Sequence, residues 1–113
     1  KLQVVKGTIV DGEVITSVHD VMTHETVGLD LNSCEVTGDG VRSMCTVWDD
    51  PNFIQGDEAY YYVRVVANKS CRWSHDLCIK NPEHCEDNNS NIPKFIQERA
   101  WTSPIWLENS MDI

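Results

Sequence analysis

Two stretches at the start of the chain, residues 2–10 and 13–22, are dense in Val, Ile and Thr and are separated only by Asp11-Gly12. An Asp-Gly pair accepts the positive φ angles of a two-residue type I′ turn, so the pattern predicts a β-hairpin. Residues 26–31 (Thr-Val-Gly-Leu-Asp-Leu) read as a third short strand, and Thr-Gly-Asp-Gly-Val at 37–41 as a turn. Residues 43–48 form a fourth apolar run. It breaks at Asp49-Asp50-Pro51-Asn52, because Pro51 disfavours helical backbone in the residue before it. Residues 58–67, Glu-Ala-Tyr-Tyr-Tyr-Val-Arg-Val-Val-Ala, are apolar or aromatic on both faces, the pattern of a central strand buried on both sides.

Residues 68–93 lose this periodicity. They hold three cysteines, two histidines, several Asn and two prolines, and read as a long stapled loop. Apolar character returns from Ile96 to Leu107. The sequence allows a short helix before Trp101, and Ser103–Leu107 reads as an edge strand, where Pro104 is tolerated. About six short strands punctuated by turn signals predict an all-β, antiparallel, immunoglobulin-like sandwich with a long disulfide-stapled loop. At 113 residues the whole span, 1–113, fits a single domain.

Composition narrows the function classes. Acidic residues outnumber basic ones 18 to 9, for a net charge of −9. A nucleic-acid partner needs a basic footprint to displace phosphate counterions, so nucleic acid is excluded as a partner. No apolar run approaches the roughly 20 residues of a membrane-spanning helix. Five cysteines point to an oxidising compartment, periplasmic or secreted. The odd number leaves one thiol without an internal partner. The chain lacks an initiating Met and a signal-peptide pattern and opens directly on strand-like residues. The expectation is therefore a fragment, or a processed or trimmed chain, of a larger protein.

Candidate chemistry is sparse. Cys71, His75, Cys78, His84 and Cys85 are zinc-ligand types, but the gaps are irregular and lack Cys-x-x-Cys. A disulfide such as Cys78–Cys85, with both histidines solvated, accounts for them better. Cys34 and Cys45 flank a Gly-containing turn, so a bridge closing that loop is plausible. Asp49-Asp50 and Glu86-Asp87 are paired acids, but adjacent acids in turns are commonly turn formers and solvated charges. His19 and His24 show no positioned catalytic partner in the sequence. Tyr60, Tyr61, Tyr62, Trp48, Trp101 and Trp106 lie in strand-like segments and read as core. Trp73, beside Arg72 in the stapled loop, is the exception and could contact a ligand. No phosphate loop, nucleophile elbow or His-Glu-x-x-His is present. No catalytic, cofactor-binding or metal-binding residue is assigned, and no cofactor is implied.

Four stretches carry a family resemblance. They are Cys34-Glu35-Val36 through Met44-Cys45-Thr46-Val47-Trp48-Asp49-Asp50-Pro51-Asn52-Phe53, Ala59-Tyr60-Tyr61-Tyr62-Val63-Arg64-Val65, Ser70-Cys71-Arg72-Trp73-Ser74, and Ile96-Gln97-Glu98-Arg99-Ala100-Trp101-Thr102-Ser103-Pro104-Ile105-Trp106. Together with Gln3-Val4-Val5-Lys6-Gly7, they resemble the C-terminal end of a large bacterial family, domain of unknown function 3604. Full-length members resemble PHP-type metal-dependent phosphoesterases, whose metal-binding His and Asp residues belong to an upstream domain. The resemblance implies a non-catalytic accessory or structural β-domain of a larger extracytoplasmic, hydrolase-like protein. Its partner would be the missing upstream domain or another protein, met through Arg72, Trp73, Arg99, Trp101 and Trp106. The alternative is a free-standing binding module for carbohydrate or protein. His75 and His84 depart from the family pattern and take no family role.

Overall fold

The computed structural model describes residues 1–24, 27–85 and 92–108, and all of His84 but its side chain. The chain divides into two compact units. One comprises Lys1–Thr23, Ser43–Val66 and the segment from Arg99 onward; the other comprises His24–Arg42 and Ala67–Glu98.

The first unit is a five-stranded antiparallel sheet with β1 (Leu2–Val10), β2 (Glu13–Met22), β5 (Ala59–Val66), β8 (Arg99–Trp101) and β9 (Ile105–Leu107). The hairpin forms where the sequence predicts it. Asp11 and Gly12 take φ of 52° and 81°, the type I′ signature that matches strand twist. β5 is central, with β1 on one side and both β8 and β9 on the other. Its ends, Ala59 and Val66, are buried, while the residues between are mostly half-buried.

The last strand departs from expectation in an informative way. β8 and β9 both pair with β5, but their registers differ by one residue. Three residues, Thr102-Ser103-Pro104, stand opposite Tyr62-Val63, which is a β-bulge. Thr102 bridges the break, donating its N–H to the Val63 carbonyl at 3.0 Å and accepting the Val63 N–H on Oγ1 at 3.0 Å. Trp101 and Trp106 are an odd number of residues apart, so strict alternation would put them on opposite faces. The bulge restores them to one face: Trp101 pairs with Arg64 and Trp106 with Tyr60.

That outer face is built from cross-strand rows. Asp20, Gln3, Arg64 and Trp101 form one row, Val18, Val5 and Tyr62 the next, and Thr16, Gly7, Tyr60 and Trp106 the third. In the first row Gln3 donates to Asp20 at 2.6 Å and accepts from Arg64 Nε at 2.8 Å. In the third row the Tyr60 ring lies on Gly7 so closely that any Cβ there would overlap it. Gly7→Ala is therefore expected to displace the ring and cost about 1–3 kcal/mol, the usual range for overpacking, read as a lower urea midpoint.

The second unit contains β3 (Gly28–Leu29), β4 (Val36–Thr37), β6 (Ser70–Cys71), β7 (Phe95–Ile96) and one helix, α1 (Trp73–Lys80), followed by a 3-10 turn at Pro82–His84. β3 pairs with β4 and β6 with β7, each ladder two residues long.

Several expectations are corrected. Residues 43–48 form no strand. The segment read as a long stapled loop at 68–93 carries α1 and β6, and the Cys78–Cys85 disulfide does staple it. Residues 92–100, just before Trp101, form no helix; β7 stands there and β8 begins at Arg99. The third predicted strand shortens to Gly28–Leu29, with Thr26 outside the described residues. Among the described residues the fold is mostly antiparallel β in open sheets, with one short helix and two disulfides. No described helix is long and apolar enough to cross a membrane.

Candidate functional site

The inner face of the five-stranded sheet holds the most concentrated polar chemistry. Lys6 on β1 pairs with Ser17 on β2 and Tyr61 on β5, and Val4 pairs with His19, so these side chains share one face. The segment from Ser43 to Glu58 brings Trp48 and Asp50 to them. Lys6 Nζ donates to Asp50 Oδ2 at 2.5 Å and to the Asn52 carbonyl at 3.2 Å. Tyr61 Oη donates to the same Asp50 oxygen at 2.7 Å, and Asp50 Oδ1 accepts the Asn52 N–H at 2.9 Å. The Lys6 and Asp50 side chains are only 9% and 7% exposed.

Electrostatics follow from this packing. Burial pushes the Asp50 carboxyl up, but the hydrogen bonds from Lys6, Tyr61 and the Asn52 N–H, with the Lys6 charge, outweigh it and hold the pKa at about 2. Burial pushes Lys6 down, and the bond to Asp50 with the charges of Tyr61 and Asp50 more than reverses this, raising it. Burial raises Tyr61, reinforced by its bond to Asp50. Asp50 is thus a locked anion whose oxygens are already engaged, a poor general base. The sequence reading of Asp50 as a solvated charge is corrected: it does form the Asx turn, but with its side chain buried against Lys6.

Around this group lies a cleft of about 320 Å³, lined by Val4, Trp48, Asp50, Tyr61 and Ile105 among others. Trp48 packs against His19 at 5.0 Å and meets Tyr61 edge-on at 6.4 Å between centroids. His19 Nε2 and Ser17 Oγ are 3.0 Å apart. Ser17 and His19 sit two residues apart on one strand, and among the described residues no carboxylate hydrogen-bonds the imidazole to orient it. A hydroxyl–imidazole contact of this kind lacks the third group and oxyanion donors that activate a serine.

The cysteines resolve as Cys34–Cys71 and Cys78–Cys85. The Cys34–Cys45 bridge is corrected, because the ordering of β6 beside residue 34 gives Cys34 a different partner. Cys45 is free and exposed. Donor atoms of Cys34, Cys71 and His75 cluster within 4.8 Å, a spacing that suits a metal. Both sulfurs are consumed in the disulfide, and thiolates are what zinc requires. His75 Nε2 instead donates to the Leu31 carbonyl at 2.6 Å. Glu86 and Asp87, and the His84 side chain, lie outside the described residues.

The remaining candidate contacts separate. Arg72 is the N-cap of α1, and its Nε is buried without a hydrogen-bond partner in the structure. Trp73 follows it, 76% exposed. Arg99, Trp101 and Trp106 belong to the sheet; Arg99 is exposed, and the two tryptophans are 60% and 67% exposed. The reading of Trp101 and Trp106 as core is therefore corrected. With Val14 and Val18, also exposed, they make the outer sheet face an open apolar surface. The Lys6–Asp50–Tyr61 group was missed in the sequence; Lys6 inside an otherwise apolar strand was the signal that a buried acid must meet it.

The model of one protein family, described as "Protein of unknown function (DUF3604)", matches residues 1–109. No curated protein and no solved structure matches the chain.

Proposed function

We propose, from the premise that this chain belongs to the DUF3604 family, that it is a non-catalytic accessory β-domain working through the open outer face of its sheet. The observation that carries this is the exposure of Val14, Val18, Trp101 and Trp106 together on one face. Soluble surfaces seldom present such a patch unless it contacts something. On the inner face, the groups able to do chemistry are already engaged with one another. The larger protein would be hydrolase-like, of the PHP metal-dependent phosphoesterase type, as the family resemblance implies. The immunoglobulin-like sandwich belongs to this proposal too, since a sandwich needs a second layer on the sheet. Two disulfides and the absence of a described membrane-spanning helix are compatible with an extracellular or secreted location, and the reading adopts a periplasmic or secreted one in bacteria. A free-standing binding module is the second reading, favoured by the exposed Trp73 on α1.

The non-catalytic claim is tested with the isolated chain, p-nitrophenyl phosphate and its diester, in the presence of zinc, manganese or magnesium. The expected result is no turnover above metal and buffer. Turnover that is lost in Lys6→Met would place the chemistry in this chain and end the proposal.

A further inference from the structure

At the β9 end of the outer face, two carboxylates lie just beyond the paired strand ends. Ala59 pairs with Leu107 and Tyr60 with Trp106. Glu58 precedes the first residue of β5 and Glu108 follows the last residue of β9. Among the described residues the ion pairs are Lys1–Asp20, Lys6–Asp50 and Lys80–Asp76, and none relieves Glu58 or Glu108.

Both acids line a cleft of about 440 Å³ together with Tyr60, Trp106, Ile9 and Val14. The Tyr60 and Trp106 rings are tilted by 57° with centroids 5.5 Å apart, so two π systems meet in a corner. A ring face is the negative side of the aromatic quadrupole. The cleft thus combines two uncompensated carboxylates, two electron-rich rings and an aliphatic wall. An anion is repelled by all the charged parts of it. A bare metal ion gains nothing from Ile9, Val14 or the rings, because hard cations require oxygen ligands. A cation that carries methyl groups satisfies every part of the lining.

We propose that this cleft binds an alkylated ammonium group of the choline type, either as a free cation or as a lipid headgroup. The proposal takes the Trp106 end of the outer face as the ligand-accessible part, leaving the Val18 and Trp101 rows to the contact of the accessory reading, and does not depend on the presence of a larger protein. The net charge of −9 supports it by drawing cations toward the surface.

The test titrates the protein with choline while following the indole N–H signals by NMR. The comparators are 3,3-dimethylbutan-1-ol, which has the same shape without the charge, and calcium chloride. Choline is expected to shift the Trp106 signal saturably, with the neutral isostere weaker by about tenfold, the scale of a partly desolvated cation–π contact. Glu108→Gln, an exposed and conservative change, is expected to weaken choline binding, because it removes one of the two carboxylates that line the cleft. Equal binding of choline and its neutral isostere overturns the proposal, as does a Trp106 response to calcium alone or to nothing. Co-sedimentation with phosphatidylcholine but not phosphatidylglycerol vesicles assigns the headgroup; choline binding without co-sedimentation assigns the free cation. Substitutions at Val18 and Trp101, in other rows of the face, leave this cleft intact and test the accessory reading separately.

Discussion

Lys6→Met is expected to destabilise the chain by about 3–5 kcal/mol, because it strands the Asp50 carboxylate in a buried site without its cation. Both side chains are under a tenth exposed, so water cannot substitute for the lost partner. Domains of this size are stable by about 5–15 kcal/mol, so the change removes a large part of the total. The double variant Lys6→Met with Asp50→Leu should recover much of the loss, since an apolar pair carries no desolvation penalty. Urea unfolding of the single and double variants measures both. The pH dependence has a definite sign. The folded pKa of Asp50 lies below its unfolded value, at about 2. Its contribution is fully present above the unfolded value and is lost as pH falls from about 4 through about 2, an effect of about 2 kcal/mol. Lys6 acts at the other end: its raised pKa gives stability that is complete below the unfolded value and fades as pH rises through the folded one.

Removing the Cys34–Cys71 bridge, as Cys34→Ser with Cys71→Ser, is expected to cost about 4 kcal/mol in the chain-entropy description of a long loop. The bridge spans a sequence separation of 37, whereas Cys78–Cys85 spans 7 and should cost about 2 kcal/mol on the same basis. The damage should be confined. Every residue classed as buried among those described, Gln3 to Gly7 with Ala59 and Val66, lies in the five-stranded unit. The second unit has two-residue ladders and a helix that buries no side chain. Small units without a sizeable core depend on covalent staples. Hydrogen exchange should therefore show the amides of residues 67–85 losing protection in the double serine variant while β1, β2 and β5 keep theirs. Uniform loss across the chain would show instead that the two units unfold together.

How much was legible in the sequence depends on the range of the interaction. The Asp11-Gly12 hairpin and the β5 strand are written in local alternation and turn chemistry, and both stand where expected. The short Cys78–Cys85 bridge was also within reach. The partner of Cys34 was not, because connectivity among five cysteines is a tertiary fact. Helix α1 escaped because none of its residues is buried, so it carries no apolar stripe to read. The exposure of Trp101 and Trp106 escaped for a different reason. Their motif looked like core, and only the one-residue bulge at Thr102-Ser103-Pro104 reveals that both point to the open face. Asp50 escaped because an Asx turn has the same local signature whether its side chain faces water or a buried lysine.

The central claim is that the chain acts through its open sheet face. It is tested most directly by introducing Val18→Asp with Trp101→Ser and comparing thermal unfolding in the isolated chain and in the complete gene product. Both positions are exposed on the sheet, so the isolated chain should melt within a few degrees of the parent, as exposed substitutions usually do. In the complete product the same pair should lower the midpoint of this domain markedly, because it places a charge and a hole in a buried contact. Equal, small shifts in both settings would show that nothing packs on this face and would contradict the claim.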